Sequence, residues 1–344
     1  MGGAETVEDR VDSWLWPFVE ETMRSWTLAG VAVGVVDRET SLARGFGSAD
    51  LSRRPVTAHT LFHQASISKT FVATAVLRLV EAGELELDGR VTSYLHGLDW
   101  VDPRASSVTI RQLLSHTSGC GDVQDYGWHR PELDDWALAR FAANVAGWPL
   151  ERDPGAGFAY SNAAYELLGH VVAAVTGRSF EDRLQDDVLR PAGMTTSTFA
   201  LSEVPRHLGA LPHLGLPPRV VDGSYPYTRR HAPSSSLHSS AAEMTRWVAL
   251  HLADGPGLVT RATRELMWRP VAEVGWSEWH QSVGLGWFCG TYRGHRCVGH
   301  SGDDPGFQAN LALLPDLGVG VCVMAESNTA PVFGLTRAAL DTLL

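Results

Sequence analysis

The sequence predicts an α/β fold of the α+β kind, in which an antiparallel sheet built from both termini is flanked by helices and carries a large, mostly helical insert. Strand-like runs occur near the start of the chain and again in its last eighty residues, whereas helical spacing and Pro- and Gly-rich loops fill the middle. We therefore expect a sheet subdomain from residues 1–85 and 265–344, a helical subdomain from residues 86–264, and a cleft where the two meet.

The first elements of the chain justify the sheet. Apolar side chains recur with helical spacing over residues 7–26, and residues 30–36 and 42–47 have the composition of two strands that pair across a charged turn. From Ser66 onward the apolar side chains again recur with helical spacing, and this pattern ends near Gly83. Ser66 is therefore expected at the start of a helix.

The remaining elements follow the same division. In the middle of the chain we expect helices at residues 109–114, 161–175, 180–188 and 241–252. Towards the end we expect strands at 284–290, 296–300, 309–314 and 318–324, and a last helix at 332–344. Strands from the two ends then form one sheet, and the Ser66 helix lies along its junction with the insert.

Composition excludes several classes of function. The net charge is −11 and the arginines are scattered without a basic run, so we expect no nucleic-acid partner. The sequence shows neither a secretory signal at its start nor the roughly 18 uninterrupted apolar residues that a membrane span requires. We therefore expect a cytoplasmic protein with no membrane partner.

The cysteines indicate neither a metal site nor a disulfide scaffold. Cys120, Cys289, Cys297 and Cys322 are sparse and lack CxxC spacing, so we expect no metal and no cofactor. Cys289 and Cys297 face each other across a predicted hairpin, which leaves a disulfide between them open. For a cytoplasmic chain we prefer two buried free thiols.

The only lysine of the chain, Lys69, is the strongest single indication of chemistry. It stands against 27 arginines and follows Ser66 by three residues. Arginine stays protonated in any protein environment, whereas a desolvated lysine can lose its proton and act as a base. One helical turn places both side chains on the same face at the N-terminal end of the helix, so a neutral Lys69 can take the proton of a nucleophilic Ser66.

Two further segments accompany this pair. Residues 154–162 form a glycine-rich loop that presents Tyr160 and Asn162 where a helix begins, and residues 298–302, Val-Gly-His-Ser-Gly, end a strand. Taken singly, the first segment is explained by a helix cap and a packed aromatic ring, and the second by a strand histidine. Their occurrence in this order with the serine–lysine pair predicts an active site.

With these three segments the chain resembles the serine β-lactamase and penicillin-binding-protein superfamily, and within it the class C, D-alanyl-D-alanine carboxypeptidase and family VIII esterase branch. Segments 62–87, 113–119, 160–169, 284–287 and 299–307 are also typical of that family, so the resemblance covers about residues 10–340. It implies a β-lactamase/transpeptidase-like fold and a metal-free serine hydrolase.

The resemblance also implies a role for each site residue. Ser66 is the expected nucleophile, Lys69 its base, and Tyr160 the group that passes the proton to the leaving group, its phenolate stabilised by the nearby amine. Asn162 is expected to bind the acyl side of the substrate, and the backbone N–H groups of Ser66 and Asp303 to form the oxyanion hole. The further substrate-binding residues implied are His300, Ser301 and Gly302.

Two positions depart from the β-lactamase pattern. His300 stands where lysine is frequent, and because histidine is largely neutral at pH 7 it offers a substrate carboxylate a weaker contact. Asp303 stands where glycine is usual, and its carboxylate is expected to repel anionic substrates or to favour an amine. Both changes favour substrates other than penicillins.

The sequence predicts an aromatic wall in the cleft. The chain has 12 tryptophans, and we expect Tyr126, Trp128 and Trp287, together with other tryptophans such as Trp276, to line the cleft and to suit an apolar or aromatic acyl group of a small molecule or short peptide. The expected activity is that of a carboxylesterase or a D-amino-acid-type peptidase or amidase. An acyltransferase or thioesterase-like cyclase of natural-product biosynthesis, and a slow-turnover acyl-binding sensor, are the alternatives. The substrate and the oligomeric state stay open.

Overall fold

The protein is described by a computed structural model over residues 5–38, 40–50, 52–215, 219–220, 225–253, 255 and 257–344. The strands are β1 Gly30–Asp37, β2 Thr40–Gly47, β3 Phe62–His63, β4 His213–Leu214, β5 Arg219–Val220, β6 His238–Ser239, β7 Ala272–Glu273, β8 Ser282–Val283, β9 Phe288–Tyr292, β10 His295–Asp304, β11 Phe307–Leu314 and β12 Val319–Ala325. Eight of them form an antiparallel sheet in the order β2-β1-β12-β11-β10-β9-β8-β7. Because β1 pairs with β12, both ends of the chain build one sheet, as the sequence predicts.

Helices flank this sheet. They are α1 Val7–Arg10, α2 Trp16–Trp26, α3 Ser68–Glu81, α4 Ile110–Leu114, α5 Ala137–Ala146, α6 Asn162–Thr176, α7 Phe180–Leu184, α8 Ala232–Ser235, α9 Ala241–Leu252, α10 Arg261–Met267 and α11 Val332–Leu343. A π-helical turn, Val11–Leu15, joins α1 to α2, and a second one, Gln185–Leu189, extends α7. The mixed architecture predicted from the sequence is confirmed.

Side-chain caps explain where the central helices begin. The hydroxyl of Ser161 accepts a hydrogen bond from Ala164 N at the start of α6, and the hydroxyl of Ser240 accepts one from Glu243 N at the start of α9. Each such cap is worth about 1 kcal/mol. The cap at Ser161 matters for function because it fixes the first residue of α6, Asn162.

The sheet separates two hydrophobic layers, as β1 shows. Val31, Val33 and Val35 face the layer that includes side chains of α2 and α11, whereas Ala32 and Val36 face the larger layer that includes α3 and α9. Alternation of side chains along a strand produces this division. The larger layer lies directly beneath the Ser66 segment.

The two predicted subdomains share this larger layer. α9, which belongs to the predicted helical subdomain, packs on β1, β2 and β12, and α3 packs against α6 and α8. The subdomain boundaries near residues 85 and 265 remain a prediction. Among the helices of the described residues, none has the length and apolarity that crossing a membrane requires.

The structure corrects the start of one predicted strand and the expectation that Cys289 and Cys297 face each other. The predicted strand at 284–290 starts only at Phe288, because a turn closed by Gly284 N and Trp287 O at 2.8 Å precedes it, with Gly286 at φ 79°. Cys289 is paired with Val298 and faces the larger layer, whereas Cys297 faces the other. The two thiols lie on opposite faces of the sheet and are free and buried.

Candidate active site

Ser66 lies in a strained turn between a short strand and a helix. β3 pairs with β6, and a 3₁₀ turn, Ala65–Ile67, then leads directly into α3. Ala65 has a φ of 47°, a left-handed conformation that costs a non-glycine residue about 1–2 kcal/mol. Ser66 is partly exposed, whereas all its neighbours from Leu61 to Thr70 are buried. The turn thus presents one hydroxyl to solvent from an otherwise closed segment.

The strand β10 passes close to this turn because Gly302 has no side chain. A Cβ at this position would lie 2.3 Å from Gln64 O and 3.1 Å from Ser66 N. Any larger residue would push the strand away from the nucleophile turn. The next residue, Asp303, consequently lines the same cavity as Ser66, which agrees with the proposed use of both backbone N–H groups as an oxyanion hole.

Lys69 is fully buried within reach of three oxygen atoms. Its Nζ lies 2.6 Å from Asn162 Oδ1, 2.8 Å from Ser234 O and 2.9 Å from Ser66 Oγ. Burial lowers the pKa of Lys69 to about 8, although nearby carboxylates, first that of Glu166, oppose the shift. With such a pKa, roughly a tenth of Lys69 is neutral at pH 7.

The partners of Lys69 decide where its lone pair points. The side-chain oxygen of Asn162 and the carbonyl of Ser234 only accept hydrogen bonds, so they take the two hydrogens of the neutral amine. The lone pair is then left for the hydroxyl hydrogen of Ser66. This arrangement can remove the Ser66 proton.

Asp122 fixes the orientation of Asn162. Its Oδ1 accepts a hydrogen bond from Asn162 N at 2.6 Å, and its Oδ2 accepts one from Asn162 Nδ2 at 3.3 Å. Since a carboxylate cannot donate, the NH₂ group of Asn162 faces Asp122 and the amide oxygen faces Lys69. Asp122 was not predicted as a site residue, because it lies in a loop without a recognisable sequence pattern.

Tyr160 completes the polar contacts of the nucleophile. Its hydroxyl donates to Ser66 Oγ at 2.9 Å, its ring centre lies 5.0 Å from Lys69 Nζ, and its ring stacks on His116. Burial raises the pKa of Tyr160, and the hydrogen bond to Ser66 offsets this only in part. The resting side chain is therefore a neutral phenol, and the stabilised phenolate expected from the sequence does not match its surroundings.

His300, on β10, lines the same cavity as Ser66. Its Nδ1 lies 2.7 Å from the carbonyl oxygen of Ser301, which only accepts, so Nδ1 carries the hydrogen. Burial, assisted by the charge of Lys69, lowers the pKa of His300 to about 3. The imidazole is therefore neutral near pH 7, and its Nε2 is a hydrogen-bond acceptor.

A cavity of about 240 Å³ opens at the nucleophile. Its described lining consists of Ser66, Tyr126, Tyr160, Asn162, Ser235, Trp276, Phe288, His300, Ser301, Asp303 and Asp304. Most of the residues predicted from the sequence therefore meet around one space, although they come from four separate parts of the chain.

Two of the predicted cleft aromatics lie elsewhere. Trp128 stacks on Tyr126 with ring centres 4.7 Å apart, but it is outside the described lining of the cavity. Trp287 is fully buried and packs against His251 and Trp268, because the preceding turn directs it into the larger hydrophobic layer. Trp287 is therefore a core residue.

Other aromatic side chains form the wall that the sequence analysis expected. Trp276 packs against Phe158 and Phe288 with ring centres 5.2 Å and 5.3 Å apart, and its side chain is 57% exposed. Trp276 and Phe288 both line the cavity. Trp276 was expected in the cleft from the sequence, whereas Phe288 follows no motif and was identified only from the fold.

Two buried acid–histidine pairs adjoin the site. In the first pair, His231 Nδ1 is 3.2 Å from Oε1 of Glu166, which lies on α6 one helical turn after Asn162. In the second pair, His63 Nε2 is 2.8 Å from Asp304 Oδ2. Burial raises the pKa of Glu166, and the hydrogen bond and charge of His231 lower it in part. Within the described parts of the chain, no group of three or more His, Cys, Asp or Glu residues is arranged to hold a metal ion.

Comparison with known proteins agrees with this geometry. The model of the Beta-lactamase family matches residues 17–344. The chain is 32% identical over 316 residues to "Penicillin-binding protein 4" of Amycolatopsis lactamdurans, and the aligned region covers 88% of this chain and 78% of that protein. It is 36% identical over 221 residues to "Esterase EstB" of Burkholderia gladioli, which covers 59% of this chain and 56% of the esterase.

Solved structures show the same fold. The octameric penicillin-binding protein homologue from Pyrococcus abyssi superposes with a TM-score of 0.85 at 26% identity, covering 96% of this chain and 76% of that chain. The chain thus spans only part of each of these three proteins.

Proposed function

The chain belongs to the Beta-lactamase family and is a serine hydrolase of that type, and we propose that it turns over an ester or amide through a covalent acyl-enzyme on Ser66. The observation that carries the proposal is the hydrogen-bonding of Lys69. Its two neutral-amine hydrogens are committed to Asn162 Oδ1 and Ser234 O, so its lone pair is free for the Ser66 hydroxyl at 2.9 Å. The activity is that of a carboxylesterase or a D-amino-acid-type peptidase or amidase.

Acylation begins when the Ser66 proton moves to Lys69 Nζ and Ser66 Oγ attacks the substrate carbonyl. The oxygen of the tetrahedral intermediate is stabilised by the backbone N–H groups of Ser66 and Asp303. The bond to the leaving group breaks as that group takes the Tyr160 proton, and the Lys69 ammonium then restores the proton of Tyr160. Both groups end neutral, and Ser66 carries the acyl group.

Deacylation reverses the roles with water as the nucleophile. Water gives one proton to the Lys69–Tyr160 pair and its oxygen attacks the ester carbonyl. The acid leaves as Ser66 Oγ regains a proton from the same pair. The cavity of about 240 Å³ and its wall of Trp276 and Phe288 fit an aromatic or apolar acyl group of moderate size.

Intact-protein mass spectrometry tests the proposal. Wild type and Ser66→Ala are exposed to a p-nitrophenyl acyl ester, a β-lactam and a fluorophosphonate, while p-nitrophenol release is followed. We expect a mass gain on wild type alone, together with continuing release. No adduct with any probe would contradict the proposal.

The same experiment separates the two alternatives. A stable adduct without continuing release would indicate the acyl-binding sensor. Release that accelerates with an added amine or alcohol, and yields a new acyl product, would indicate the acyltransferase. Equal rates with and without such acceptors support hydrolysis.

A further inference from the structure

We propose that this site selects substrates that carry a cationic amine close to the scissile carbonyl and rejects those that carry a carboxylate there, with Asp303 as the residue that determines the choice. The inference rests on the proposed function, since it names the substrate class of the same site. It follows from the charges, tautomers and anchoring of the cavity wall.

The charge balance of the cavity is the first observation. Its described lining contains neither an arginine nor a lysine but has two carboxylates, of which Asp303 is exposed, whereas Asp304 is buried and lies 2.8 Å from His63. Lys69 lies behind this lining, fully buried, with three oxygen atoms already around its Nζ. A substrate carboxylate would therefore meet the exposed negative charge of Asp303, and an ammonium group would meet a favourable field.

The tautomer of His300 is the second observation. Because Nδ1 donates to Ser301 O at 2.7 Å, the other ring nitrogen has a lone pair and no hydrogen. A neutral imidazole of this tautomer cannot donate a hydrogen bond to a carboxylate, but it can accept one from an N–H group. His300 therefore adds an acceptor to the wall that already carries the Asp303 carboxylate.

The anchoring of Asp303 is the third observation. Gln308 Nε2 donates to its Oδ2 at 3.0 Å and Asn328 Nδ2 donates to its Oδ1 at 3.2 Å, so each oxygen is held by one amide and keeps further accepting capacity. Asn328 Oδ1 in turn accepts from Gly306 N at 2.6 Å. The carboxylate is thus fixed at an exposed edge of the cavity without a counter-ion among its hydrogen-bond partners.

The surroundings leave this carboxylate poorly compensated. Partial burial and the neighbouring charge of Asp304 raise the pKa of Asp303, while its two amide partners lower it only in part. A bound ammonium group would remove this imbalance. The neutral amides of Gln308 and Asn328 fix the position of the Asp303 carboxylate but do not neutralise its charge, which a substrate ammonium group would do.

Matched ester series test the inference. In the first series, ethyl esters share a 3-phenylpropanoyl group and carry on the α-carbon a hydrogen, an ammonium group of either chirality, or a carboxylate. In the second series, the leaving alcohol of 3-phenylpropanoate is propanol, 2-(dimethylamino)ethanol or glycolate. We measure kcat/KM for each ester, corrected for the charged fraction of the amine, in wild type and Asp303→Asn.

We expect the order ammonium, neutral, carboxylate in at least one series, with a span of about tenfold or more between the extremes. In Asp303→Asn this ratio is expected to fall at least about fivefold. Glu84→Gln is the matched control, since it removes one exposed carboxylate beyond the far end of α3 and is expected to leave the ratio unchanged.

Either of two results would overturn the inference while leaving the proposed function intact: carboxylate esters that react as fast as neutral ones in both series, or an order that Asp303→Asn does not change. If no ester forms an acyl-enzyme or is hydrolysed, the proposed function itself has failed, and the inference falls with it. Because the readout is a ratio between substrates, a general loss of activity in the variant does not affect it.

Discussion

The two sides of Ser66 differ in how firmly their side chains are fixed. On one side, Lys69 and Glu166 are fully buried and Asn162 is 7% exposed, and the hydrogen-bond partners of Lys69 determine the direction of its lone pair. On the other side, Asp303 is exposed and Trp276 is 57% exposed, and both line an open cavity. We propose that the buried side determines the reaction and that the open side determines the substrate.

This difference has a consequence for substitutions. A change on the buried side alters the base or its orientation and is expected to reduce turnover of every substrate by a similar factor. A change on the open side is expected to alter the ranking of substrates. The largest effects therefore belong to the buried side.

Lys69→Arg is expected to have the largest effect. It keeps the positive charge but cannot act as a base, so acylation should slow by about 10³-fold or more. Lys69→Met, which has a similar length and no amine, should fail equally. Thermal melting is used to check that both variants fold. Acylation within about tenfold of wild type in either variant would remove Lys69 from the mechanism.

Asp122→Asn tests whether the buried side depends on the orientation of Asn162. An asparagine at position 122 has only one acceptor oxygen, and its NH₂ group would face the NH₂ group of Asn162. The two NH₂ groups cannot hydrogen-bond to each other, so the Asn162 side chain is expected to rotate and to turn its oxygen away from Lys69. We expect kcat to fall about 10–100-fold for all substrates alike.

Asp125→Asn is the matched control for this variant. Its Oδ1 accepts from Gly127 N in the same loop, a contact that an asparagine oxygen can keep. Its kcat should stay within about twofold of wild type. A loss as large as that of Asp122→Asn would show that the loop, and not the carboxylate of Asp122, is responsible.

The pH dependence of kcat/KM sharpens the comparison further. Because Lys69 must be neutral to act as a base, kcat/KM should be low at acidic pH and should rise with pH through an apparent pKa of about 8. This rise is the acidic limb of the pH profile. The Glu166 carboxylate raises the pKa of Lys69, so in Glu166→Gln this limb should move to lower pH.

A second buried glutamate provides the control for this shift. Glu243 lies on α9, is 4% exposed and accepts a hydrogen bond from the hydroxyl of Ser197. It is not among the charges that shift the pKa of Lys69. Glu243→Gln should leave the limb in place. A limb that moves in neither variant, or in both, would contradict an electrostatic role for Glu166.

Trp276→Ala is expected to have the smallest effect and to act on the open side alone. The loss of its contacts with Phe158 and Phe288 should raise KM for esters with an aromatic acyl group by about three- to tenfold. Short aliphatic esters should be little affected. An equal loss for both ester classes would show that Trp276 supports the site without forming an acyl pocket.

Much of the buried side could be predicted from the sequence, because its residues lie in segments with a local pattern. Ser66 and Lys69 are one helical turn apart, and Asn162 is the first residue of a capped helix. Asp122 could not be predicted, since its role depends on a contact with Asn162 across 40 residues of loop and helix.

The open side was harder to predict, because it is formed by side chains that no spacing rule connects. Trp276 and Trp287 were both expected in the cleft, but the turn before β9 places Trp287 in the core, whereas Trp276 lines the cavity. The position of Trp287 depends on the turn before β9, and Trp276 lies in the loop between β7 and β8. Asp303 could be predicted because it follows a motif directly.

The protonation state of Lys69 is the central claim, and the chain allows a direct measurement because Lys69 is its only lysine. Protein grown with lysine labelled at Cε with carbon-13 gives one lysine resonance, whose shift is followed by NMR as the pH is raised. A titration midpoint of about 8 is the predicted result. A midpoint above about 10, the ordinary range of a solvated lysine, would leave less than about one thousandth of Lys69 neutral at pH 7 and would contradict its role as the base.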